Sequence, residues 1–382
     1  KLVKFVSVEK IKGRNISLTA RAAGTDMTGG PLTESIVVVF TRYLNHLLEV
    51  GVDYAIVEPG MYYKDFEKET LVHDLFMPSY PASREICAIG GIVANNAGGE
   101  KTLSYGKTDK YVDTVYMILE DGNEYAFSKI TEEELHKKIS VANLEGQIYK
   151  EVFELINQNY EIIKKARPDT SKNSSGYALW DVYNKETGKF NIAKILVGSQ
   201  GTLGIFTKVK FKLVHPKKKS KMLVIFLKDF SDIGQLSKII LSLKPETLEC
   251  YDDKTFKLAL KYFPEILHKI HRNVIKLILK TLPEFWTILK MGSIPKLVVL
   301  AEFSANSEEE AIQKVHTAKK MIEKQLPSRL KMHIQYSEEE SREFWTIRRE
   351  SFKLLRQHST KNMSTACFID DFSVRAEKLP EF

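Results

Sequence analysis

Residues 81–99 read PASREICAIGGIVANNAGG, and the pair Tyr105-Gly106 follows a few residues later. Two glycine pairs, two asparagines and several alanines occur in this short segment. Because glycine lacks a Cβ atom, such a backbone can pack closely against a flat partner. Packing between helices through small residues is the alternative interpretation. The glycine pairs on either side of Ile92–Ala97 favour close approach to a ligand.

Two more glycine-rich segments lie before and after this one. Residues 21–30 read RAAGTDMTGG and follow the strand-like run Ile16–Ala20. Glycines among small hydroxyl and carboxyl side chains are typical of a turn whose N–H groups bind phosphate, although a plain surface turn fits equally well. Residues 196–205 read LVGSQGTLGI and lie between two predicted strands. Three such segments in one region indicate a nucleotide-like cofactor more strongly than any one of them.

Two familiar nucleotide signatures do not fit these segments. The glycines at 24, 29 and 30 do not have the G-x-G-x-x-G spacing. Residues 98–102 (GGEKT) differ from a P-loop, because Glu100 separates Gly99 from Lys101 and no glycine stands five residues before Gly99. The sequence therefore predicts neither a Rossmann fingerprint nor a Walker A motif.

The composition is that of a globular protein with two domains. The 382 residues are 43% hydrophobic and 28% charged, and they include only three cysteines, none in a paired spacing. We found no signal peptide and no apolar run of about 20 residues, so we expect a cytoplasmic protein. Lys and Arg outnumber Asp and Glu by 19 to 8 between Phe206 and Lys296. No nucleic-acid motif accompanies this basic region, and no nucleic-acid partner is predicted.

The first half of the chain is predicted to be rich in strands. Runs of β-branched and aromatic residues predict strands at Ile36–Phe40, Tyr54–Glu58, Val112–Leu119, Ile195–Val197 and Gly204–Val214. Apolar residues at helical spacing predict one helix over Tyr149–Lys165.

A domain boundary is predicted at His215–Lys221 (HPKKKSK), where one proline and four lysines occur together. We expect a first domain over residues 1–214 and a second over 220–382. Strands and helices alternate in the second, which predicts an α+β or α/β sandwich. The predicted elements are Met222–Leu227, Asp232–Leu243, Leu297–Phe303 and Glu308–Gln325.

The three glycine segments resemble the FAD-binding domain of the vanillyl-alcohol oxidase/p-cresol methylhydroxylase (PCMH) superfamily. The most similar branch contains D-lactate dehydrogenase, the glycolate oxidase flavin subunit and D-2-hydroxyglutarate dehydrogenase. The resemblance covers nearly the whole chain and implies an α+β fold, with a two-subdomain PCMH-type FAD-binding domain followed by an α/β substrate cap domain. It implies that FAD contacts Ala23, Gly24, Thr25, Asp26, Thr28, Gly29, Pro81, Ser83, Gly90, Gly91, Asn95, Gln200, Gly201, Gly204 and Ile205.

The chain departs from the family pattern at two positions near the cofactor. Ala22 replaces the first glycine of the family's R-G-A-G-T loop, and Ala88 replaces the threonine of its A-T-I-G-G run. Both changes are small, so backbone contacts would survive. The loop over residues 21–30 contains no histidine, which covalently flavinylated relatives often carry there. We therefore expect FAD to bind noncovalently.

The resemblance also implies substrate contacts. Residues 172–177 (KNSSGY) resemble the family's K-N-x-x-G-Y segment near the reacting face of the flavin, where Asn173 and Tyr177 can hydrogen-bond a hydroxy acid; an ordinary Ser-Gly turn is the alternative. Residues 345–348 (WTIR) resemble the W-x-x-R segment whose arginine pairs with the substrate carboxylate. Arg348 takes that place, and a guanidinium group can bind a carboxylate through two parallel hydrogen bonds.

The implied activity is the FAD-dependent oxidation of a small D-2-hydroxy acid to its 2-oxo acid, with hydride transfer to flavin N5. We interpret the chain as a fragment, because the family's catalytic base and divalent metal ligands belong to a histidine motif expected beyond Phe382. No catalytic or metal-binding residue is therefore assigned within the chain. Ile369 stands where the 2-hydroxyglutarate enzymes are expected to have a lysine, which favours D-lactate or glycolate.

Several alternatives and partners stay open at this point. The same flavin fold serves a non-redox alkyl-glycerone-phosphate synthase, and a non-catalytic FAD-binding subunit is a further alternative. A dehydrogenase needs an electron acceptor, either a quinone or an electron-transfer protein. Residues 265–282 have an apolar face opposite a basic face, so they can form either a packed lid helix or a peripheral contact with the inner face of a membrane.

Overall fold

The computed structural model describes residues 1–26, 28–170, 172–261, 294–326, 330–357, 372–379 and 381. The chain divides into two compact units, residues 1–216 with 368–373 and residues 217–367 with 374–382. Helices and sheets are mixed in both, which agrees with the predicted α+β class. Among the described residues, no helix combines the length and apolar composition needed to cross a membrane.

Unit 1 contains nine described strands. They are β1 (Leu18–Arg21), β2 (Ile36–Val39), β3 (Leu47–Val50), β4 (Tyr54–Val57), β5 (Val112–Ile118), β6 (Glu124–Ile130), β7 (Tyr183–Asn184), β8 (Lys189–Asn191) and β9 (Ile205–Lys212). Strands β1 and β2 form a small parallel sheet, and the other seven form an antiparallel sheet in the order β3-β4-β9-β5-β6-β8-β7. Strand β9 therefore pairs with β4 and β5, although it follows them by about 90 residues or more.

Eight described helices accompany these strands. They are α1 (Leu2–Ile11), α2 (Tyr63–Leu71), α3 (Ile89–Ala94), α4 (Thr102–Tyr105), α5 (Glu132–Ile139), α6 (Leu144–Gln158), α7 (Tyr160–Lys165) and α8 (Ala193–Leu196), with single 3-10 turns at Thr108–Lys110 and Leu179–Asp181. One core runs through the unit, and Tyr63, Phe127 and Phe211 are among its fully buried side chains. The short helix α3 is buried along most of its length, which fixes the glycine segment 81–99 within that core.

Two predictions for unit 1 are wrong in detail. Residues 195–197, predicted as a strand, lie at the end of α8, because the apolar run there packs into the core as a helical turn. The helix predicted over Tyr149–Lys165 is two helices that meet at Asn159. The side-chain amide of Asn159 donates to the carbonyl of Leu155 at 2.9 Å, and such a bond to the preceding turn ends a helix.

Unit 2 is built on a four-stranded antiparallel sheet in the order β11-β12-β10-β13. Its described elements are β10 (Lys219–Leu227), α9 (Ile233–Ser242), β11 (Thr247–Asp252), α10 (Asp253–Lys261), β12 (Leu297–Ala305), α11 (Glu308–Gln325), β13 (Lys331–Gln335), α12 (Glu338–Gln357) and a 3-10 turn at Ala376–Lys378. The helix predicted at Glu308–Gln325 is confirmed over its full length.

Helices cover both faces of this sheet. In β10, alternate residues enter two different cores: Leu223 and Ile225 pack with residues of α9 and α11, and Met222 and Val224 pack with Phe344 of α12. A strand that is buried on both faces reads as a continuous apolar run.

The predicted linker His215–Lys221 ends inside β10. Lys221 is almost fully buried, and its ammonium group donates to the Glu308 carboxylate and to the carbonyl of Tyr336. An ammonium group is costly to bury unless it is paired and hydrogen-bonded. These two contacts of Lys221 therefore fix the end of the lysine-rich run within β10.

Candidate functional site

In the loop over residues 21–30, the N–H groups of Thr28 and Gly30 donate to the loop's own carboxylate, that of Asp26. Gly24 and Gly29 have positive φ values of 66° and 87°, which glycine adopts most readily. The side chain of Asp26 accepts hydrogen bonds from the N–H of Gly30 at 2.7 Å and from the hydroxyl of Thr28 at 2.9 Å. The Arg21 guanidinium lies against Gly24, since a Cβ atom added there would stand 2.6 Å from it. The loop thus combines a cation with N–H donors that here hold a carboxylate.

The central segment, residues 81–99, uses its glycines partly for packing within the protein. A Cβ atom at Gly90 would stand 2.8 Å from Cβ of Pro59, and one at Gly99 would collide with the carbonyl of Tyr80. These two glycines are therefore required by the neighbouring backbone, whatever else the segment contacts. Gly91 differs, because an added Cβ would meet only Cβ of Ala22, at 3.7 Å.

The third loop, residues 198–205, is hydrogen-bonded to the end of α3. The N–H of Gly198 donates to the carbonyl of Val93 at 3.0 Å, and the N–H of Gln200 donates to the carbonyl of Ala94 at 2.9 Å. Gln200 has a φ of +52°, a backbone conformation that residues other than glycine rarely adopt.

The three loops meet around α3. Gly91 faces Ala22 of the first loop, Gly201 faces Ala20 at the end of β1, and Gly198 faces Asn96, with distances of 3.7, 3.8 and 3.3 Å from an ideal Cβ. The structure therefore brings together the segments that contain all fifteen predicted FAD contacts. The individual FAD contacts stay predictions.

The predicted substrate segment, residues 172–177, lies on these loops. The hydroxyl of Ser174 donates to the carbonyl of Asn96 at 3.2 Å, and the hydroxyl of Tyr177 lies 2.7 Å from the Thr202 hydroxyl. The side-chain oxygen of Asn173 accepts from the N–H of Ser175 at 3.2 Å, which leaves the amide nitrogen of Asn173 as the group that can donate.

Arg348, the predicted partner of the substrate carboxylate, lies on α12 of unit 2. Its Nε donates to the carboxylate of Glu249 on β11 at 3.1 Å, and both side chains are partly exposed. The guanidinium is thus already oriented by one carboxylate.

The predicted amphipathic segment 265–282 and Ile369 lie outside the described residues.

A buried polar network beneath residues 81–87 was not predicted. Arg84 pairs with the Glu67 carboxylate and lies over the ring of Tyr80, 4.8 Å from its centroid. The Tyr80 hydroxyl donates to Glu100 at 3.0 Å. Burial raises the pKa of Tyr80 well above its usual value, so this hydroxyl stays protonated and keeps donating. These residues come from separate parts of the sequence, and no local spacing relates them.

Cys87 in the central segment and Lys107 just after it both have shifted pKa values. Burial raises the pKa of the Cys87 thiol to about 12. Burial also lowers the pKa of Lys107, which follows the Tyr105-Gly106 pair. The ammonium group of Lys107 donates to the carbonyl of Asn173. Lys107 was not predicted as a site residue, because one lysine beside a glycine does not by itself indicate a site.

A metal centre of three or more His, Cys, Asp or Glu side chains is absent from the parts of the chain that the structure describes. The two cysteines in those parts, Cys87 and Cys250, are free thiols.

Comparison with known families agrees with this arrangement. A model described as an FAD binding domain matches residues 7–128, and a model described as the C-terminal domain of FAD linked oxidases matches residues 216–382. The chain therefore contains two domains of the kinds found in PCMH-type FAD-linked oxidases. The two matches confirm the PCMH-type resemblance and the predicted α+β fold with two domains. Loop 21–30 contains groups suited to FAD, namely the N–H donors of Thr28 and Gly30, which here hold the Asp26 carboxylate, and the Arg21 guanidinium beside Gly24.

Curated relatives of the chain carry the names of 2-hydroxy acid enzymes. D-2-hydroxyglutarate dehydrogenase of Pseudomonas putida is 26% identical over 250 residues, which are 65% of this chain and 25% of the relative. Glycolate oxidase subunit GlcD of Bacillus subtilis is 26% identical over 252 residues, 65% of this chain and 43% of the relative. D-lactate dehydrogenase of Archaeoglobus fulgidus is 25% identical over 298 residues, 77% of this chain and 51% of the relative.

The chain thus spans from a quarter to about half of the length of these relatives. A solved structure of alkyldihydroxyacetonephosphate synthase superposes with a TM-score of 0.61 at 14% identity, over 93% of this chain and 56% of the other. That likeness concerns the fold alone.

Proposed function

We propose that this chain binds FAD noncovalently and forms the flavin-binding part of a dehydrogenase that oxidises a small D-2-hydroxy acid to the 2-oxo acid. The observation that supports it most is the attachment of segment 172–177 to the flavin loops, through Ser174 to Asn96 and through Tyr177 to Thr202. The groups predicted to hold a hydroxy acid are thereby fixed beside the groups predicted to hold the flavin.

In this proposal the loop over residues 21–30 binds the pyrophosphate of FAD. The guanidinium of Arg21 supplies positive charge, and the N–H groups of Thr28 and Gly30 supply donors. When bound, FAD supplies the acceptor for a hydride from the substrate α-carbon, and the protein orients the substrate against it.

Segment 172–177 and Arg348 are proposed to hold the substrate. The amide nitrogen of Asn173 can donate to a carboxylate, and a guanidinium such as that of Arg348 is suited to pair with one. No described residue is assigned as the base that accepts the hydroxyl proton or as a metal ligand.

We propose D-lactate or glycolate as the substrate, since Ile369 replaces the lysine expected for a second carboxylate. The electron acceptor is proposed to be a quinone or an electron-transfer protein, and residues 265–282 are the proposed contact with a membrane surface if a quinone is used. Sedimentation with anionic vesicles at low salt tests the contact, and the absence of co-sedimentation would exclude it.

The test of the proposed function is anaerobic. The complete polypeptide is loaded with FAD and mixed in turn with D-lactate, glycolate and D-2-hydroxyglutarate, and the flavin absorbance is followed. We expect rapid bleaching by D-lactate or glycolate. Bleaching by D-2-hydroxyglutarate alone would correct the substrate. A flavin that stays oxidised with all three acids would contradict the dehydrogenase and favour the non-redox or non-catalytic alternatives.

A further inference from the structure

Lys107 connects two segments of the candidate site. Its side chain lies against the second glycine pair, where an added Cβ atom at Gly98 would stand 3.5 Å from Cγ of Lys107. Its ammonium group donates to the carbonyl of Asn173 in the predicted substrate segment. The side chain is half-buried, so the charge is held in place and partly removed from water.

The charged neighbours of Lys107 are two basic and two acidic side chains. Lys172 and Lys194 are its basic neighbours, and Asp109 and Asp181 are its acidic ones. Asp109 is shared with Lys194, whose ammonium lies 3.0 Å from the carboxylate and 2.6 Å from the carbonyl of Asp109. Asp181 in turn lies 3.7 Å from Arg167. The two acids therefore interact with other cations, and Lys107 adds positive charge to the region between the flavin loops and segment 172–177.

We propose that the positive charge of Lys107 acts on the bound flavin. Its ammonium group favours the reduced, more negative form of the cofactor. A fixed charge in a partly buried site acts on a neighbouring redox group more strongly than one in water. The hydrogen bond to Asn173 keeps the ammonium in position while it leaves two further N–H donors. The inference rests on the flavin-binding part of the proposed function and is independent of the identity of the hydroxy acid.

The test is the midpoint potential of the FAD-loaded complete polypeptide, measured by dye equilibration without substrate. Lys107→Met is expected to weaken the preference for reduced flavin about tenfold, which lowers the potential of a two-electron couple by about 30 mV. Lys107→Arg keeps the charge and is expected to restore the wild-type potential. Lys110→Met is the matched control, because Lys110 is exposed and lies over the ring of Tyr111.

A potential of Lys107→Met within a few millivolts of wild type would overturn the proposal, as would an equal shift in Lys110→Met. If Lys107→Met does not retain FAD, Lys107→Gln decides, because it keeps a polar side chain without the charge and must lower the potential. An unchanged or higher potential in that variant would contradict the inference. Failure of the wild-type protein to bind FAD would refute the proposed function itself, whereas normal FAD binding with an unchanged potential would refute only the role of Lys107.

Discussion

The hydroxyl oxygen of Tyr177 lies 2.7 Å from Oγ1 of Thr202, and Oγ1 of Thr202 donates to the carbonyl of Ser199 at 2.6 Å. A threonine hydroxyl has one proton, and here that proton is used by Ser199. Tyr177 must therefore be the donor to Thr202. The Tyr177 oxygen can still accept a hydrogen bond. In the proposed function it therefore accepts a hydrogen bond from the substrate hydroxyl and does not donate one.

Tyr177→Phe is expected to loosen segment 172–177 without unfolding unit 1. One hydrogen bond at a partly exposed site contributes about 1 kcal/mol, so the loss in stability should be small, while KM for the hydroxy acid should rise about tenfold. Steady-state kinetics and urea unfolding measure the two effects. Tyr43→Phe is the control, because Tyr43 is exposed on the same unit. An unchanged KM in Tyr177→Phe would contradict the acceptor role.

Gly24→Ala is expected to weaken FAD binding more than tenfold. The φ of +66° strains any other residue by about 1 kcal/mol, and the new methyl group would displace the Arg21 guanidinium from the loop. Gly13→Ala is the control, because Gly13 also has a positive φ, +81°, but a methyl group added there meets no other atom. Flavin fluorescence titration measures both. Equal affinities of the two variants would show that Arg21 does not contribute to FAD binding.

Asp26→Asn is expected to strengthen FAD binding about threefold to tenfold. The Asp26 carboxylate accepts hydrogen bonds from the same loop N–H groups that are proposed to bind pyrophosphate, and its charge repels a second anion. The amide keeps the shape and removes the charge. Isothermal titration with FAD at low and high salt measures the effect, which should shrink as salt screens it. Weaker binding by the variant would show that the carboxylate supports the cofactor instead.

Arg348→Met is expected to raise KM for the hydroxy acid at least thirtyfold and to leave FAD affinity unchanged, because truncation of a charged hydrogen-bonding partner costs about 2 kcal/mol or more. Glu249→Gln provides the comparison. It removes the carboxylate that holds Nε of Arg348 at 3.1 Å and should leave KM equal or lower. If both variants lose activity alike, the pair is structural and Arg348 has no substrate role.

Cys87→Ala is expected to reduce the loss of stability at alkaline pH. The pKa of Cys87 is about 12 in the folded protein, compared with 9.0 for an ordinary thiol. The unfolded chain therefore releases this proton first, and the free energy of unfolding falls as pH rises from about 9 towards 12. Between pH 9 and 10.5 the contribution is on the order of 1–2 kcal/mol. Urea unfolding at pH 9 and 10.5 gives the change in the free energy of unfolding with pH for wild type and variant. An identical change in both proteins would contradict the raised pKa of Cys87.

The fold could be predicted because its signals are local. Glu308–Gln325 has an N-terminal serine cap and a regular apolar face, and both can be read from neighbouring residues. The glycine segments were visible for the same reason, since their composition is unusual over a few residues. The junction at Asn159 and the helix at 193–196 were missed, because a side-chain hydrogen bond and core packing override the local pattern there.

The contacts within the site could not be predicted in this way. Lys107 reaches Asn173 across 66 positions, and Arg84 reaches Glu67 across 17. Asp26 belongs to the predicted loop, but its contact with the loop N–H groups depends on backbone geometry that composition does not specify. Gly90 and Gly99 have a second reason to lack a side chain, which the sequence did not reveal. A Cβ atom at either position would crowd Pro59 or Tyr80, whether or not a ligand also lies there.

The meeting of the three loops around α3 has a consequence for biosynthesis. Ala20, Gly91 and Gly201 belong to parts of the chain that leave the ribosome far apart in time, and β9 must insert between β4 and β5 to bring the last of them into place. Sheets closed by such distant strands form slowly, and the incomplete nascent chain exposes its strand edges. In the proposed function, the nascent polypeptide can therefore capture FAD only after residue 212 has emerged, and cofactor supply during translation would act while unit 2 is still being made.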